Sequence, residues 1–456
     1  MGLEFVTNKN NQWLLVFIPA LIYFIVLRTS HHAHTQQQPS VLNDIFGLKP
    51  YVPIGTEVLV SAGHNGVDGL KEIQSKLYLS DASKNEPSGK SYIPLLYPLE
   101  VVIDDSERIP SKYHSTAFVH DSDLGRGYVL ISDSHGAGRI WRWEVGGGPI
   151  TIGKSLHQVN SGCRSKSKCS MEDGSRGMVV QWEKGAELPN QAGDLVVAEV
   201  GERRIVRIEK ETGSRTPLVL NMPCGEEQVR LQQADWLLLT PQGDLIFTAT
   251  SNACSKDSIY QLNAAAHVPP IIPSLSRQAH GWNKTHHSHP IEVIYTAEDD
   301  DTTSITGLTL DVTDDLTASS TLYFTVVSKE HVFITKSVLE IDDDEDQHGS
   351  SQQFFDMTPF FTANNIHLGS AITLDKTGTL YATYPGGIAI ISKSGDLLAQ
   401  IPFQPKNIHL NSITLASDGY IYATTTDSQL VRLRTKAEPI KIPTDKYKPI
   451  DPTKKT

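Results

Sequence analysis

Residues 371–401 read AITLDKTGTLYATYPGGIAIISKSGDLLAQI, and their pattern decides the fold. A short apolar run, Ala371 to Leu374, leads into a tight polar turn that ends at Gly378. From Gly378 the run GTLYATY supplies strand formers, Pro385-Gly386-Gly387 turns the chain, and GIAIIS supplies a second strand. Short runs rich in β-branched and aromatic residues, bounded by Gly and polar clusters, read as hairpins. Almost no long segment of the chain carries the 3.6-residue apolar period of a helical array.

The same unit recurs along the chain. Gly127 begins GYVLISDSHGAGRIWRWEV, Gly193 begins GDLVVAEVGERRIVRIEK, and Gly243 begins GDLIFTATSNACSKDSIYQLN. Ser320 begins STLYFTVVSKEHVFITKSV, and Gly419 begins GYIYATTTDSQLVRLR. A further apolar run precedes each hairpin: Ser115 to Val119, Gly177 to Trp182, Trp236 to Leu239, Gly307 to Leu310, Ala371 to Leu374 and Ser412 to Leu415. A strand, a turn and a hairpin make most of a four-stranded blade. Blades stack radially because no single one buries its own faces. The predicted fold class is therefore all-β, a six-bladed β-propeller, with extra length in polar insertions such as 264–290. A ring of this kind is closed by a strand from one terminus completing the blade begun at the other, and Leu99 to Ile103 (LEVVI) is the candidate.

The remaining organisation follows from composition. Trp13 to Leu27 is an unbroken apolar run, short for a membrane span and long for a signal-peptide core. No small-x-small cleavage pattern follows it, so the expectation is a transmembrane signal anchor that is not cleaved, with secretion as the alternative. Residues 1–40 are then anchor and polar stalk, 41–110 an accessory segment with the closing strand, 111–435 the propeller, and 436–456 a flexible tail. Asn283-Lys284-Thr285 is a glycosylation sequon, and the four cysteines are an even number; both point to a lumenal or extracellular propeller. Cys163, Cys169, Cys224 and Cys254 allow three pairings. The net charge of −12 argues against a nucleic-acid partner, which needs a basic face. The acidic runs 299–301 and 342–346 lack the alternating carboxylates and central Gly of a calcium loop, and read as solvated loops. His286, His287 and His289 fall in an inserted loop, where only adventitious metal binding is expected.

The segments GDLVVAEVGERRIVRIEKETGSRTPLV, ADWLLLTPQGDLIFTAT and AITLDKTGTLYATYPGGIAIISKSGDLLAQI resemble the gluconolactonase, senescence-marker-protein and luciferin-regenerating-enzyme family, over roughly residues 112–434. The resemblance implies an axial pore that holds a divalent metal, Ca²⁺ or Zn²⁺, on a Glu, two Asn and an Asp. Such a cation polarises a lactone carbonyl and helps activate water. The matching positions here depart from that set: His114 stands for the Glu, Ala234 before Asp235 for the first Asn, Thr306 for the second, and Ser370 for the Asp. The expectation is a degraded metal cage.

His114, Asp235, Thr306, Ser370 and Asn411 are thus the residues expected at the axial mouth, His114 and Asp235 as catalytic candidates and the others as substrate contacts. Glu199 stands among apolar residues, but its period-2 place points it to solvent. No GxSxG elbow, Walker loop or HExxH is present. Two functions stay open: a divergent hydrolase of lactones or esters acting on a small molecule at the pore, and a non-catalytic propeller that binds a small molecule or a protein. A third, a metal-free enzyme like those of the strictosidine-synthase branch, would need a catalytic Glu at the pore.

Overall fold

The computed structural model describes residues 53–440, apart from the connecting stretches 62–65, 82–83, 86–90, 105–111, 122–125, 136–138, 146–155, 162–173, 181–193, 210–211, 226, 242, 252–253, 263–290, 298–302, 313–319 and 340–350. The chain divides into two compact units, Met1–Tyr51 and Val52–Thr456. The first lies outside the described residues, and with it the apolar run 13–27. Asn283, the three histidines beside it and both acidic runs also lie outside them. No helix among the described residues is long and apolar enough to cross a membrane.

The fold is all-β and propeller-like. Four antiparallel four-stranded meanders follow one another along the chain. The first runs from Tyr113–Asp121 to Leu156–Ser161, the second from Ser175–Val180 to Arg215–Val219, the third from Leu237–Leu239 to Ile291–Thr296, and the fourth from Ser304–Asp311 to Gln352–Asp356. A ten-stranded sheet contains two more runs, from Ile372–Leu374 to Leu397–Pro402 and from Leu410–Leu415 to Gln429–Arg434. In each meander the apolar run that precedes the hairpin is the first strand.

These first strands pack side by side: that of the first meander against the second, the second against the third, and so on until Leu410–Leu415 packs back on Tyr113–Asp121. The approach is close enough to exclude side chains. A Cβ at Gly177 would stand 2.7 Å from the Asp235 carbonyl oxygen, and one at Gly307 (φ +76°) 2.6 Å from that of Ser370. Outside this ring, apolar layers fill the wedge between neighbouring sheets. Val196, Ile205, Leu245 and Phe247 fill one wedge, and Phe118, Trp143 and Tyr422 another. Full burial of such side chains contributes about 1.5–3 kcal/mol each.

Two features of the ends matter. Strand Ser91–Asp104 pairs with Gln429–Arg434, with Leu430 opposite Ile103 and Arg432 opposite Glu100, so the first and last parts of the described chain share a sheet. Strand Pro53–Val60 lies between Ser91–Asp104 and Leu397–Pro402. Strands Pro53–Val60 and Ser91–Asp104 are therefore built into the sheet rather than forming a separate accessory segment. Residues 436–440, expected to fray, are also held. Lys436 N–H donates to the Lys76 carbonyl at 2.7 Å, Ala437 is buried, and Pro439 bridges to Asp375. The helix Gly66–Lys76 anchors this corner: Lys76 Nζ is buried at 2.6 Å from Asp375 Oδ2.

Candidate functional site

Each innermost strand carries a buried apolar residue at or within two residues of its end: Val119, Val180, Leu239, Leu310, Leu374 and Leu415. Counting back four residues from each gives Ser115, Arg176, Asp235, Thr306, Ser370 and Asn411. These positions mark one end of the axis. Ladder irregularities fall there repeatedly, between Tyr113 and Thr116, Ser175 and Met178, Thr306 and Leu308, and Leu410 and Ser412. Bulges at such places re-aim side chains out of the regular alternation. In the first strand the bulge brings in His114 from one residue further back.

Charge gathers at three of these strands. Arg176 Nη1 donates to Asp235 Oδ1 at 2.9 Å, and Gln233 Nε2 donates to Oδ2 at 2.7 Å. His114 Nε2 lies 3.9 Å from the same Oδ1, and its ring sits 6.0 Å from that of Trp236. His114, Arg176 and Asp235 are each about one-fifth to one-quarter exposed. Burial lowers His114 to a pKa of about 4; the Asp235 charge opposes this, while Arg176 and Lys112 add to it. The imidazole is therefore neutral at pH 7, and its Nδ1 is buried without a hydrogen-bond partner among the described residues. Burial pushes Asp235 up, but Arg176, His114 and the Gln233 bond outweigh it and hold the carboxyl below its usual value. With His114 neutral, Arg176 and Gln233 carry that effect at pH 7.

A second carboxyl stands near the first. Asp257 lies on the third strand of the third meander and accepts a hydrogen bond from the Ile305 N–H at 3.3 Å. Burial raises its pKa to about 6, the Ile305 bond opposes this, and the Asp235 charge adds to it. Two neighbouring carboxyls pushed in opposite directions are the pattern of a base or acid beside a fixed charge.

The other expected contacts are spent on the scaffold. Asn411 Nδ2 donates to the carbonyls of Tyr113 (2.8 Å) and Thr425 (3.3 Å). Thr306 Oγ1 accepts from Ser370 N–H at 3.1 Å, and Ser370 is 1% exposed. Glu199 does not face solvent: it is fully buried, 2.6 Å from Arg204, because Arg204 and Arg215 fold over it. Sequence reasoning thus missed Arg176, Gln233 and Asp257. Arg176 was legible, since it immediately precedes Gly177, where the apolar run of the second inner strand begins. Asp257 lies on a third strand and carried no signal.

Beneath the charged layer an axial cavity of about 260 Å³ opens, with Asp235 and Trp236 at one end and Pro439 and Ile440 at the other. Between them it is lined by the inner strands, including Leu239, Leu310, Leu374 and Leu415.

The donor set does not suit a hard divalent cation. Both Asp235 oxygens already accept from Arg176 and Gln233, and the guanidinium stands where positive charge would be placed. No group of three or more His, Cys, Asp or Glu among the described residues is arranged to hold a metal.

No family model matches the sequence, and comparison with curated proteins returns no match. Among solved structures, the chain is similar to the gluconolactonase of Xanthomonas campestris, at 14% identity with a TM-score of 0.50, over 85% of this chain and 99% of that one. It is also similar to the calcium-binding protein regucalcin of Agrobacterium tumefaciens, at 11% identity and TM-score 0.44, over 75% and 97%. At these identities the likeness to the first shows the fold, that of a gluconolactonase-type propeller.

Proposed function

We propose that this chain is a divergent, six-bladed gluconolactonase-type propeller that hydrolyses a small lactone or ester at its axial mouth without a divalent metal. The blade count takes the ten-stranded sheet as two blades joined through Pro53–Val60. One observation carries the functional reading: His114, Arg176 and Asp235, from three consecutive inner strands, converge at one end of the axis. A concave site with a few convergent polar groups is the default place for a small ligand.

In this reading the water oxygen adds to the acyl carbon and its proton passes to a base. The acyl C–O bond then breaks, and the leaving alkoxide oxygen takes up that proton. Asp257, with a pKa of about 6, is the carboxyl best matched to base catalysis near neutral pH. Neutral His114 accepts or relays a hydrogen bond from the water. Asp235 stays ionised and holds Arg176 in place.

The test is turnover of γ-butyrolactone and of a simple aryl ester by the purified protein, in EDTA and in Ca²⁺. The expected result is hydrolysis that is equal in both and falls at least a hundredfold in Asp257→Asn. Absence of turnover, or dependence on Ca²⁺, refutes it. A second reading, a binding module without catalysis, draws on Thr306, Ser370 and Asn411, whose polar groups serve the scaffold. It predicts ligand binding with no turnover.

The propeller is further proposed to be lumenal or extracellular, anchored through residues 13–27. The disulfide at Cys224 supports an oxidising compartment. A gel-mobility shift that Asn283→Gln abolishes would bear this out.

A further inference from the structure

We infer that the Arg176 guanidinium is the ligand-binding cation of this site, taking a carboxyl-type oxygen of the ligand where related propellers would use a metal; this rests on the axial mouth being the ligand site. Of the six side chains placed four residues before the apolar ends, only Arg176 is a cation, and Asp235 is the only anion. Ser370 and Asn411 are turned to the scaffold. What remains to meet a ligand is the guanidinium, the imidazole of His114 and one carboxylate.

Arg176 is positioned as a fixed group rather than a mobile surface one. Its carbonyl accepts from Ser132 Oγ at 2.6 Å, which ties it to the neighbouring first meander. Its Nη1 is held by Asp235, which itself is held by Gln233. The next residue, Gly177, abuts the Asp235 backbone, so the strand cannot slide. Its Nε is buried with no hydrogen-bond partner among the described residues, although a quarter of the side chain reaches solvent. A buried donor left without a partner is costly unless something occupies it. Carboxyl and carboxylate oxygens match a guanidinium in planarity and spacing, and its charge does not titrate away. Lys112, whose charge is felt at His114, adds a second positive field on the same side. The ligand class is therefore a small molecule presenting a carboxylate, or a lactone or ester carbonyl that becomes one.

The experiment uses 4-hydroxybutyrate, the hydroxy acid of γ-butyrolactone, as the probe. Its dissociation constant is measured by calorimetry on the full-length protein in EDTA and in millimolar Ca²⁺. Equal affinity in both is expected, with a loss of at least tenfold in Arg176→Gln and a similar loss in Arg176→Lys, because a point charge does not reproduce the planar fork. The double variant Arg176→Gln/Asp235→Asn removes both charges and leaves no buried carboxylate unpaired, so its loss of binding is not an effect of misfolding. The inference is overturned if the probe does not bind, if binding requires Ca²⁺, or if the double variant binds as the parent does. Lactone turnover is scored separately. Turnover that survives Arg176→Gln sinks this inference and leaves the hydrolase standing; Arg176-dependent binding without turnover does the reverse.

Discussion

Replacing Asp257 by Asn should make the protein more stable at neutral pH and less active. The folded-state pKa of Asp257 is about 6 against 3.8 for an unperturbed carboxyl, a raised value caused mainly by burial. A raised folded pKa means that the native state binds the proton more tightly than the unfolded chain. The favourable contribution is present below pH 3.8 and is lost as pH rises through about 6. About two pKa units at about 1.4 kcal/mol each set an upper bound near 3 kcal/mol; partial exposure and solvent screening reduce this to about 1–3 kcal/mol. The Asn amide oxygen still accepts the Ile305 N–H, so no hydrogen bond is lost. Urea unfolding of parent and variant at pH 4, 6 and 7.5 gives the difference curve, in which all other titrations cancel. The variant should gain little at pH 4 and about 1–3 kcal/mol at pH 7.5. A variant that is less stable at pH 7.5, or a difference that does not change between pH 4 and 7.5, refutes the reasoning. A gain in stability with a loss of turnover would mark Asp257 as a group kept for chemistry at the expense of the fold.

Further outcomes follow from other sites. His409 is 4% exposed and burial lowers its pKa to about 4, so its stabilising contribution is present above pH 6.5 and is lost as pH falls toward 4. His409→Leu should flatten that acid limb by on the order of 2 kcal/mol in pH-dependent melting. Lys76→Met removes one partner of a buried pair and should cost about 3 kcal/mol or more in urea, whereas Lys376→Met, from the half-exposed pair with Glu438, should cost well under 1 kcal/mol. Equal costs would contradict the burial argument. Gly307→Ala should lower the urea midpoint sharply, since the added Cβ meets the Ser370 carbonyl in a left-handed backbone conformation.

The fold was legible because its determinants are local and repeated. Each blade-like unit carries its own apolar run, its turn and its hairpin, and the pleat reads directly as alternation along strands such as GDLIFTAT. Leu99 to Ile103 was legible as a closing strand from its run of strand formers, and it pairs with Gln429–Arg434. The roles of Pro53–Val60 and of residues 436–440 were not legible, because each rests in part on a partner more than 300 residues away, Leu397–Pro402 for the one and Lys76 for the other. The site was half legible. His114 and Asp235 came from position relative to the inner strands. Thr306, Ser370 and Asn411 were named from the same positions, but which way a hydroxyl or amide turns depends on the neighbouring strand's carbonyls. Glu199 was misread because alternation tells which side of a sheet a residue faces, and both sides of this sheet are covered.

The pairing of Ser91–Asp104 with Gln429–Arg434 also sets a timetable. Glu100 meets Arg432 across 332 residues of chain. At about 5–20 residues per second, the nascent polypeptide waits roughly 15–70 s between synthesis of the first partner and the second. Throughout that interval Ser91 and Tyr92 already have Asn85 and Lys84 on the edge away from Pro53–Val60, but residues 100–104 lack their partner there and offer an open template for stray strands. The sheet therefore closes here only once Gln429–Arg434 has been synthesised. A frameshift or stop upstream of residue 429 would leave that edge permanently bare.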